Sequence, residues 1–174
     1  MEDLKKYIRS VPDFPKKGIT FYDITTLFMD QDGFTTALDS MEDYLRDRKA
    51  QKIVAVEARG FLFGAVLADR LKLPLVLARK PKKLPYRTIV EEYALEYGTD
   101  KLEIHADAIT AGEKVVVVDD LIATGGTLAA ACKLVERLGG EVAGISAVIG
   151  LDFLPYQDLL KNYDVNYLIS YDSE

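Results

Sequence analysis

Residues 115–128, "VVVVDDLIATGGTL", carry the strongest structural signal in this sequence. The four valines form a short apolar run, which is typical of a parallel strand covered on both faces. Two aspartates follow at the carboxyl end of that strand, where open α/β sheets bind their ligands. A Thr-Gly-Gly-Thr turn then opens into a helical pattern, and a helix N-terminus favours an anion such as phosphate. The stretch therefore predicts a strand, a ligand-binding turn and a helix in succession.

The side chains of this turn indicate which ligand it binds. Gly125 and Gly126 let backbone N–H groups approach an anion, and the flanking threonines add hydroxyl donors. Asp119 and Asp120 would repel a phosphate, but they can accept hydrogen bonds from nearby sugar hydroxyls. A phosphate joined to a vicinal diol is a ribose phosphate, whereas neither a Walker A loop nor a Gly-x-Gly-x-x-Gly pattern is present. The simpler alternative is a strand, loop and helix whose acids are only solvated.

The flanking sequence repeats the same alternation of strands and helices. Short apolar strands are predicted at 52–56, 74–78, 113–118, 141–149 and 165–170, and helices at 33–48, 61–72, 125–138 and, more weakly, 155–161. This order predicts an α/β fold with a parallel sheet core and helices on both faces. Asp32 is the predicted N-cap of the helix at 33–48. Residues 4–11 carry a short helical stripe, and 90–105 alternate as a hairpin with a Gly98-Thr99-Asp100 turn.

Two further turns follow strands of the predicted sheet. "EARG", 57–60, places Arg59 after the strand at 52–56, and its guanidinium offers a fork of donors matched to phosphate oxygens. "RKPKKLP", 79–85, concentrates basic side chains in a chain of net charge −6. Considered alone, these features also fit a surface arginine and a solvated loop. Their position at the ligand-binding edge of the sheet favours pyrophosphate.

The composition excludes several classes of protein. A chain of 174 residues suits a single domain over 1–174, and its net charge of −6 argues against a nucleic-acid partner. No apolar run approaches the length of a membrane span, and the first residues do not resemble a secretory signal. With Cys132 as its only cysteine, the chain is expected to be cytoplasmic and free of internal disulfides. Cys132 and the single histidine, His105, are interpreted as structural.

Residues 115–128 resemble the 5-phosphoribosyl-1-pyrophosphate motif of the type I phosphoribosyltransferases. Four further segments match the adenine-using members of that family in the same order: "PDFPKKGITFYDIT", "EARGFLFG", "RKPKKLP" and "LEYGTDKLEIH". The resemblance implies the type I phosphoribosyltransferase-like fold, with an N-terminal hood in 1–32 and a flexible hairpin loop in 80–105. It also implies transfer of the phosphoribosyl group to adenine, giving AMP and pyrophosphate in purine salvage.

The same resemblance implies a role for individual residues. Glu96, on a closing loop, and Arg59 are the expected catalytic residues, and the main chains of Thr20 and Tyr22 are expected to contact the base while Phe21 stacks on it. Mg²⁺ is expected to bind through substrate and water, so no protein metal ligands are predicted, and a homodimer is expected. Related proteins often carry glycine at the position of Lys82. Phosphoribosyl pyrophosphate is expected to contact Arg59, Arg79, Lys80, Lys83, Asp119, Asp120, Ala123, Thr124, Gly125, Gly126 and Thr127.

Two alternatives stay open at this stage. The nearer one is a hypoxanthine or xanthine phosphoribosyltransferase, against which the hood segment and "LEYG" both weigh. The more distant one is a regulator that senses phosphoribosyl pyrophosphate and binds nucleic acid. Such a regulator needs a basic surface or an added DNA-binding domain, and the net charge of −6 argues against the first of these.

Overall fold

The structure is a computed structural model that describes residues 4–94 and 98–173. A 3-10 helix at Leu4–Tyr7 precedes the first strand. The strands are β1 (Arg9–Val11), β2 (Phe21–Asp23), β3 (Lys52–Val56), β4 (Leu75–Ala78), β5 (Thr88–Ala94), β6 (Thr99–His105), β7 (Lys114–Val118), β8 (Leu121–Ile122), β9 (Glu141–Leu151) and β10 (Val165–Tyr171). The helices are α1 (Thr25–Phe28), α2 (Gln31–Asp47), α3 (Gly60–Leu71), α4 (Gly126–Arg137) and α5 (Tyr156–Leu160).

The central sheet has the strand order β10-β9-β7-β3-β4, and every neighbouring pair in it is parallel. Val54 of β3 lies in register with Val117 of β7 on one side and Val76 of β4 on the other. The short strand β8 pairs in parallel with the end of β9. The predicted α/β class with a parallel sheet core is thus confirmed, and all carboxyl ends of these strands meet at one edge.

Helices cover both faces of the sheet, as the apolar strands required. On one face, α2 and α3 bury Leu38, Met41 and Phe63 against the sheet. On the other face, α4 buries Leu128 and Leu134 in a second core. Because burying a large apolar side chain stabilises by roughly 1.5–3 kcal/mol, these two cores hold the carboxyl ends of the strands in fixed positions.

The hairpin formed by β5 and β6 packs beside α4, and its register corrects one prediction. Ala94 pairs with Thr99, and Tyr93 pairs with Asp100. Thr99 and Asp100 therefore belong to β6 and not to the turn, because cross-strand pairing continues through both. Leu95 and Tyr97, which the alternation placed on one face with Tyr93, lie outside the described residues.

The N-terminal region differs from its prediction in two respects. Asp30, not Asp32, is the N-cap of α2, because its Oδ1 accepts a hydrogen bond of 2.8 Å from the Gly33 N–H. Asp32 instead lies in the first turn of α2, where a carboxylate complements the helix dipole. The helical stripe ends at the 3-10 helix, and Val11 lies in β1, which pairs antiparallel with β2.

The boundaries of the hood (1–32) and of the flexible loop region (80–105) stay predictions, as does the single domain over 1–174. In the part of the chain that the structure describes, every helix is too short or too polar to cross a bilayer.

Candidate active site

The turns that follow β3 and β7 meet at the carboxyl edge of the sheet. Asp119 and Asp120 come directly after β7, and both are almost fully buried. Arg59 caps the start of α3, and its Nε lies 2.5 Å from Asp120 Oδ2. The Asp120 N–H donates to Asp119 Oδ1 at 2.8 Å. The two acids and the arginine therefore form one connected group at the predicted ligand-binding edge.

Gly60 lets these two turns approach each other. A Cβ atom at this position would lie 2.8 Å from Asp119 Oδ1 and 3.0 Å from Asp119 Cα. Contacts that short are not tolerated, so a side chain at residue 60 would displace Asp119 or the start of α3. Gly60 of the "EARG" segment is thus needed for this turn to pack against Asp119, in addition to the anion site predicted for the turn.

Burial changes the acidity of Asp119. Loss of solvent raises the pKa of its carboxyl group well above the ordinary value, and the neighbouring Asp120 carboxylate raises it further. Arg59 offsets part of this effect through its positive charge. Two acids can therefore lie side by side here, because Arg59 neutralises one of them and burial disfavours ionisation of the other.

The glycine turn before α4 encloses a small cavity of about 80 Å³. Gly125 has φ = +78°, a left-handed conformation that glycine adopts without strain. Its missing Cβ would lie 2.9 Å from the Cβ of Tyr156, and that of Gly126 would lie 3.0 Å from the Tyr93 ring. The lining residues are Asp119, Leu121, Ala123, Thr124, Gly125, Gly126, Thr127 and Leu128. Five predicted contacts of the phosphate, 123–127, thus surround one cavity.

A larger cavity of about 380 Å³ shares Asp119, Leu121 and Thr127 with the small one. Acidic and basic side chains both reach it, from the turns after β3, β4 and β7 and from the hairpin. Its lining residues are Val56, Glu57, Ala58, Arg59, Lys80, Tyr93, Asp100, Leu102, Asp119, Asp120, Leu121 and Thr127. The arrangement suits a ligand that carries hydroxyl groups near the acids and an anionic group near Arg59 and Lys80.

Lys80 is held at this cavity by the hairpin. Its ammonium forms an ion pair with Asp100 of β6, and the Tyr93 hydroxyl lies 3.3 Å from the same carboxylate oxygen. The hydrogen bond to Asp100 raises the pKa of Lys80, and the same bond lowers the pKa of Asp100. Lys80 is therefore positively charged at neutral pH and is directed towards the cavity by a partner on another strand.

Arg79 and Lys83 were predicted to contact phosphoribosyl pyrophosphate, and this contact stays a prediction. Arg79 Nε donates to Glu57 Oε2 at 2.8 Å, and its Nη1 lies 3.4 Å from the Lys83 carbonyl oxygen. Neither residue is among those that line the large cavity. Lys82, where the family resemblance leads us to expect glycine, adopts φ = +68°. The backbone there needs the left-handed region, which explains why glycine suits this position.

A third cavity of about 340 Å³ lies under the hood and is mainly apolar. Phe21 and Phe14 pack edge to face in it with ring centroids 5.3 Å apart, and Arg59 reaches it from α3. Thr20 and Tyr22 flank Phe21 in sequence but do not line the cavity. The remaining lining residues are Val11, Asp23, Ile24 and Thr25. An aromatic, flat ligand fits this space, with Arg59 between it and the large cavity.

The comparisons with known proteins agree with this geometry. The family model described as a phosphoribosyl transferase domain matches residues 35–168. The chain belongs to the phosphoribosyltransferase family. It is 52% identical to an adenine phosphoribosyltransferase of Thermotoga neapolitana over 97% of this chain and 99% of the relative.

Solved structures of the family superpose closely on this fold. A crystal structure of adenine phosphoribosyltransferase from Thermoanaerobacter pseudethanolicus has a TM-score of 0.93 at 52% identity, covering 98% of this chain and 99% of the other. The enzyme from Saccharomyces cerevisiae, crystallised with an imino-altritol bisphosphate and adenine, has a TM-score of 0.91 at 40% identity, covering 97% of both chains. The predicted fold and family are thereby confirmed.

Several residues at the candidate site were not predicted from the sequence. Glu57 lines the large cavity and directly follows β3, as Asp119 follows β7. Its position directly after a strand could therefore have identified it as a site residue from the sequence. Asp100 and Tyr93 could not be found in this way, because their role depends on how the hairpin packs on α4. Glu96, the predicted catalytic acid, lies outside the described residues.

Proposed function

We propose that this chain transfers the 5-phosphoribosyl group from 5-phosphoribosyl-1-pyrophosphate to adenine, giving AMP and pyrophosphate. The observation that carries the proposal is the sharing of Asp119 and Thr127 between a small glycine-lined cavity and a larger one with opposite charges. A ribose phosphate needs such an arrangement, with phosphate on the glycine turn and hydroxyls on the acids. The similarity to adenine phosphoribosyltransferases over nearly the full chain supports adenine as the acceptor.

In this proposal, the two aspartates act on the ribose. Asp119 and Asp120 accept hydrogen bonds from its hydroxyl groups. The positive charge that develops on the ring as the bond to pyrophosphate breaks favours the ionised form of Asp119, which burial disfavours in the free site, so that both carboxylates stabilise this charge. Their burial strengthens this effect, because charges interact more strongly away from water. Arg59 fixes Asp120 in place through its 2.5 Å contact.

The leaving pyrophosphate binds near Arg59 and Lys80, the two basic residues that line the large cavity. Arg79 and Lys83 belong to the same basic loop, and our proposal places them nearer to the entrance of the site. The family resemblance implies that this loop lies near a dimer interface and can serve the neighbouring subunit's site. We accordingly propose a homodimer in which the exposed Lys83 faces the partner's site.

Adenine occupies the hood cavity in this proposal. Phe21 offers a ring for stacking, while the main chains of Thr20 and Tyr22 read the edge of the base. The N9 nitrogen forms the new bond to the anomeric carbon as the carbon–oxygen bond to pyrophosphate breaks. The proton of N9 is taken up by Glu96 in the predicted role of that residue. The yeast relative that was crystallised with adenine supports a base site in this fold.

Mg²⁺ completes the proposed site by neutralising the charge of the pyrophosphate. The carboxylates of Glu57, Asp119 and Asp120 supply oxygen atoms at the large cavity, which is the donor type that Mg²⁺ prefers. No group of three or more acidic, histidine or cysteine side chains among 4–94 and 98–173 is arranged to hold a metal directly. As the family resemblance implies, we propose that substrate oxygens and water provide most of the ligands.

A cytoplasmic location fits this chemistry, because nucleotide salvage uses intracellular substrates and the single cysteine is buried and unpaired. The regulatory alternative gains no support from the site. The residues of the site are suited to chemistry on the ribose, and the net charge of −6 disfavours the binding of nucleic acid.

A panel of radiolabelled bases tests the proposal. Adenine, hypoxanthine, xanthine and guanine are each incubated with the protein, phosphoribosyl pyrophosphate and Mg²⁺, and the nucleotide product is separated and counted. We expect adenine to be converted with a kcat/KM at least about 10³-fold above hypoxanthine, because a site that pairs with an amino group leaves polar groups unpaired against an oxo group. Equal use of both bases would contradict the assignment of the hood.

A further inference from the structure

The strand β2 presents its side chains alternately to two sides. Phe21 and Asp23 line the hood cavity, and Tyr22 between them does not. Such alternation follows from the period of two residues in a β-strand. The proposed base-binding strand therefore has a front that faces the ligand and a back that carries Tyr22.

The back of β2 is attached to the C-terminal end of the chain. The Tyr22 ring stacks on the Tyr171 ring, with centroids 3.6 Å apart and planes inclined by 19°. The Tyr22 hydroxyl donates to the Ser173 carbonyl oxygen at 3.0 Å. Lys5 Nζ lies 5.1 Å from the centroid of the Tyr171 ring. Two contacts thus join β2 to residues that are about 150 positions away in sequence.

The other side of this attachment is rigid. Tyr171 is the last residue of β10 and lies in register with Leu151 of β9 in the central sheet. Ile169, two residues earlier, is buried in the core that α2 and α3 form with the sheet. Because Tyr171 belongs to the central sheet, a side chain stacked on it is held in a fixed position relative to the same sheet that positions Asp119 and Arg59.

The pairing of its own strands does not hold the hood in place. Its strands β1 and β2 pair over only three residues each, and a two-stranded hairpin of this size is at best marginally stable by itself. The segment from 12 to 20 that joins them contains turns and no long element. Asp23 reaches Arg9 only at 4.0 Å, where the side chain of Arg9 is largely exposed, so this ion pair adds little.

We propose that Tyr171 and the Ser173 carbonyl are positioning groups for the base site. Tyr171 stacks on the Tyr22 ring, and the Ser173 carbonyl accepts a hydrogen bond from the Tyr22 hydroxyl. Together they hold β2 at the distance from Arg59 that adenine requires. The C-terminal residues then determine the affinity for the base and leave the phosphoribosyl contacts unaffected. The inference rests on the proposed function in one respect, namely that the hood cavity takes the base.

The test separates the two substrates. KM for adenine, KM for phosphoribosyl pyrophosphate and kcat are measured for the wild type, Tyr171→Leu, Tyr171→Phe and Tyr22→Phe. We expect Tyr171→Leu to raise KM for adenine by about 3- to 10-fold, the range that loss of an aromatic pair corresponds to. KM for phosphoribosyl pyrophosphate should change by less than about 2-fold, because Asp119 and Arg59 do not touch this anchor. Tyr171→Phe keeps the ring and should restore the wild-type value.

Two further variants make the result unambiguous. Tyr22→Phe keeps the stacked ring and removes only the hydroxyl, so it should fold and raise KM for adenine by about 2- to 10-fold. Tyr163→Leu is the matched control, since Tyr163 packs against the core on the α4 side of the sheet, away from the hood. It should lower thermal stability without a selective effect on adenine.

An unchanged KM for adenine in folded Tyr171→Leu and Tyr22→Phe would overturn the inference. So would an equal rise in both KM values, since that would show a general loosening of the fold. A wild type that prefers another base would instead contradict the proposed function. The same comparison made with that base would then decide the positioning role separately.

Discussion

Arg59 Nε lies 2.5 Å from Asp120 Oδ2, so a residue proposed to bind pyrophosphate is bonded to one proposed to bind ribose. The side chain of Arg59 is 45% exposed, whereas that of Asp120 is 8% exposed. The pair thus links a buried acid at the end of β7 to a basic side chain that reaches both the hood cavity and the large cavity. We therefore expect a displacement of either turn to change the binding of both halves of the substrate.

Replacing both acids tests the ribose assignment. Asp119→Asn with Asp120→Asn should weaken binding of phosphoribosyl pyrophosphate by roughly 10²–10⁴-fold, because each lost charge-assisted hydrogen bond costs about 1.5–3 kcal/mol. Isothermal titration calorimetry measures the affinity, and circular dichroism checks the fold. The matched control is Asp43→Asn with Asp47→Asn, which removes the same charge from exposed positions of α2 and should leave the affinity unchanged. Wild-type affinity in the folded double variant of the site would contradict the assignment.

The acidity of Asp119 leads to a pH-dependent stability. Burial and Asp120 raise the pKa of Asp119 in the folded state, so this group favours folding below the ordinary pKa range of aspartate and loses that contribution as the pH rises through the raised value. Because an asparagine side chain cannot ionise, we expect Asp119→Asn to melt at a higher temperature than the wild type at pH 8, with a difference that narrows as the pH falls to about 4. Differential scanning calorimetry across this pH range measures the difference in melting temperature. An Asp119→Asn variant that melts below the wild type at every pH would contradict the prediction.

Gly60 is expected to tolerate no side chain. Gly60→Ala places a methyl group against Asp119 and should cost about 1–3 kcal/mol of stability. It should also weaken binding of phosphoribosyl pyrophosphate by more than about 10-fold. Gly64→Ala is the control, because its Cβ would meet Ala55 at 2.5 Å, within the packing of α3 on β3. That variant should lose comparable stability while keeping its affinity, and equal losses of affinity in both would refute a specific role for Gly60.

Removal of divalent cations should stop the reaction. Exhaustive chelation with EDTA is expected to reduce product formation to background, because the charge of the leaving pyrophosphate is then balanced only by Arg59 and Lys80. Added Mg²⁺ should restore the rate, and added Zn²⁺ should not. The measurement is the initial rate of AMP formation, and a full rate in the metal-free sample would exclude the proposed role of the cation.

Glu96 is expected to act in the chemical step. Glu96→Gln should lower the single-turnover rate by about 10²–10⁴-fold, the usual contribution of general acid–base assistance, because glutamine cannot accept the N9 proton of adenine. KM for phosphoribosyl pyrophosphate should stay near its wild-type value, since Glu96 is not assigned to that substrate. Rapid-quench kinetics measures the rate, with the neighbouring acid Glu92, which is exposed on β5, mutated to glutamine as control. A wild-type rate in Glu96→Gln would leave Glu96 without a catalytic role.

The sheet and its ligand-binding edge could be predicted from the sequence because their signals are local. Four successive valines predict a doubly covered strand, and the residues after such a strand necessarily lie at the carboxyl edge. For the same reason Asp119 and Asp120 were found at the site where the structure places them, beside the glycine turn.

The partners of these residues depend on contacts that the local pattern does not contain. Lys80 meets Asp100 only because the hairpin folds back over the β4 loop, and Arg79 turns to Glu57 in the turn after the neighbouring strand β3. The N-cap of α2 was misplaced by two residues because Asp30 and Asp32 are both suitable capping residues, and only the chain direction entering the helix distinguishes them.

The order of the strands also determines how long a ligand must be to span the site. The phosphate turn follows β7, Arg59 follows its neighbour β3, and Lys80 follows β4 one strand further. Strands lie about 4.8 Å apart, so these three positions span roughly 10 Å along one line. A molecule must be anionic at both ends to contact all of them. AMP is anionic at one end only, so once pyrophosphate has departed, our proposal expects the nucleotide to keep its contacts at β7 and to make none at β4.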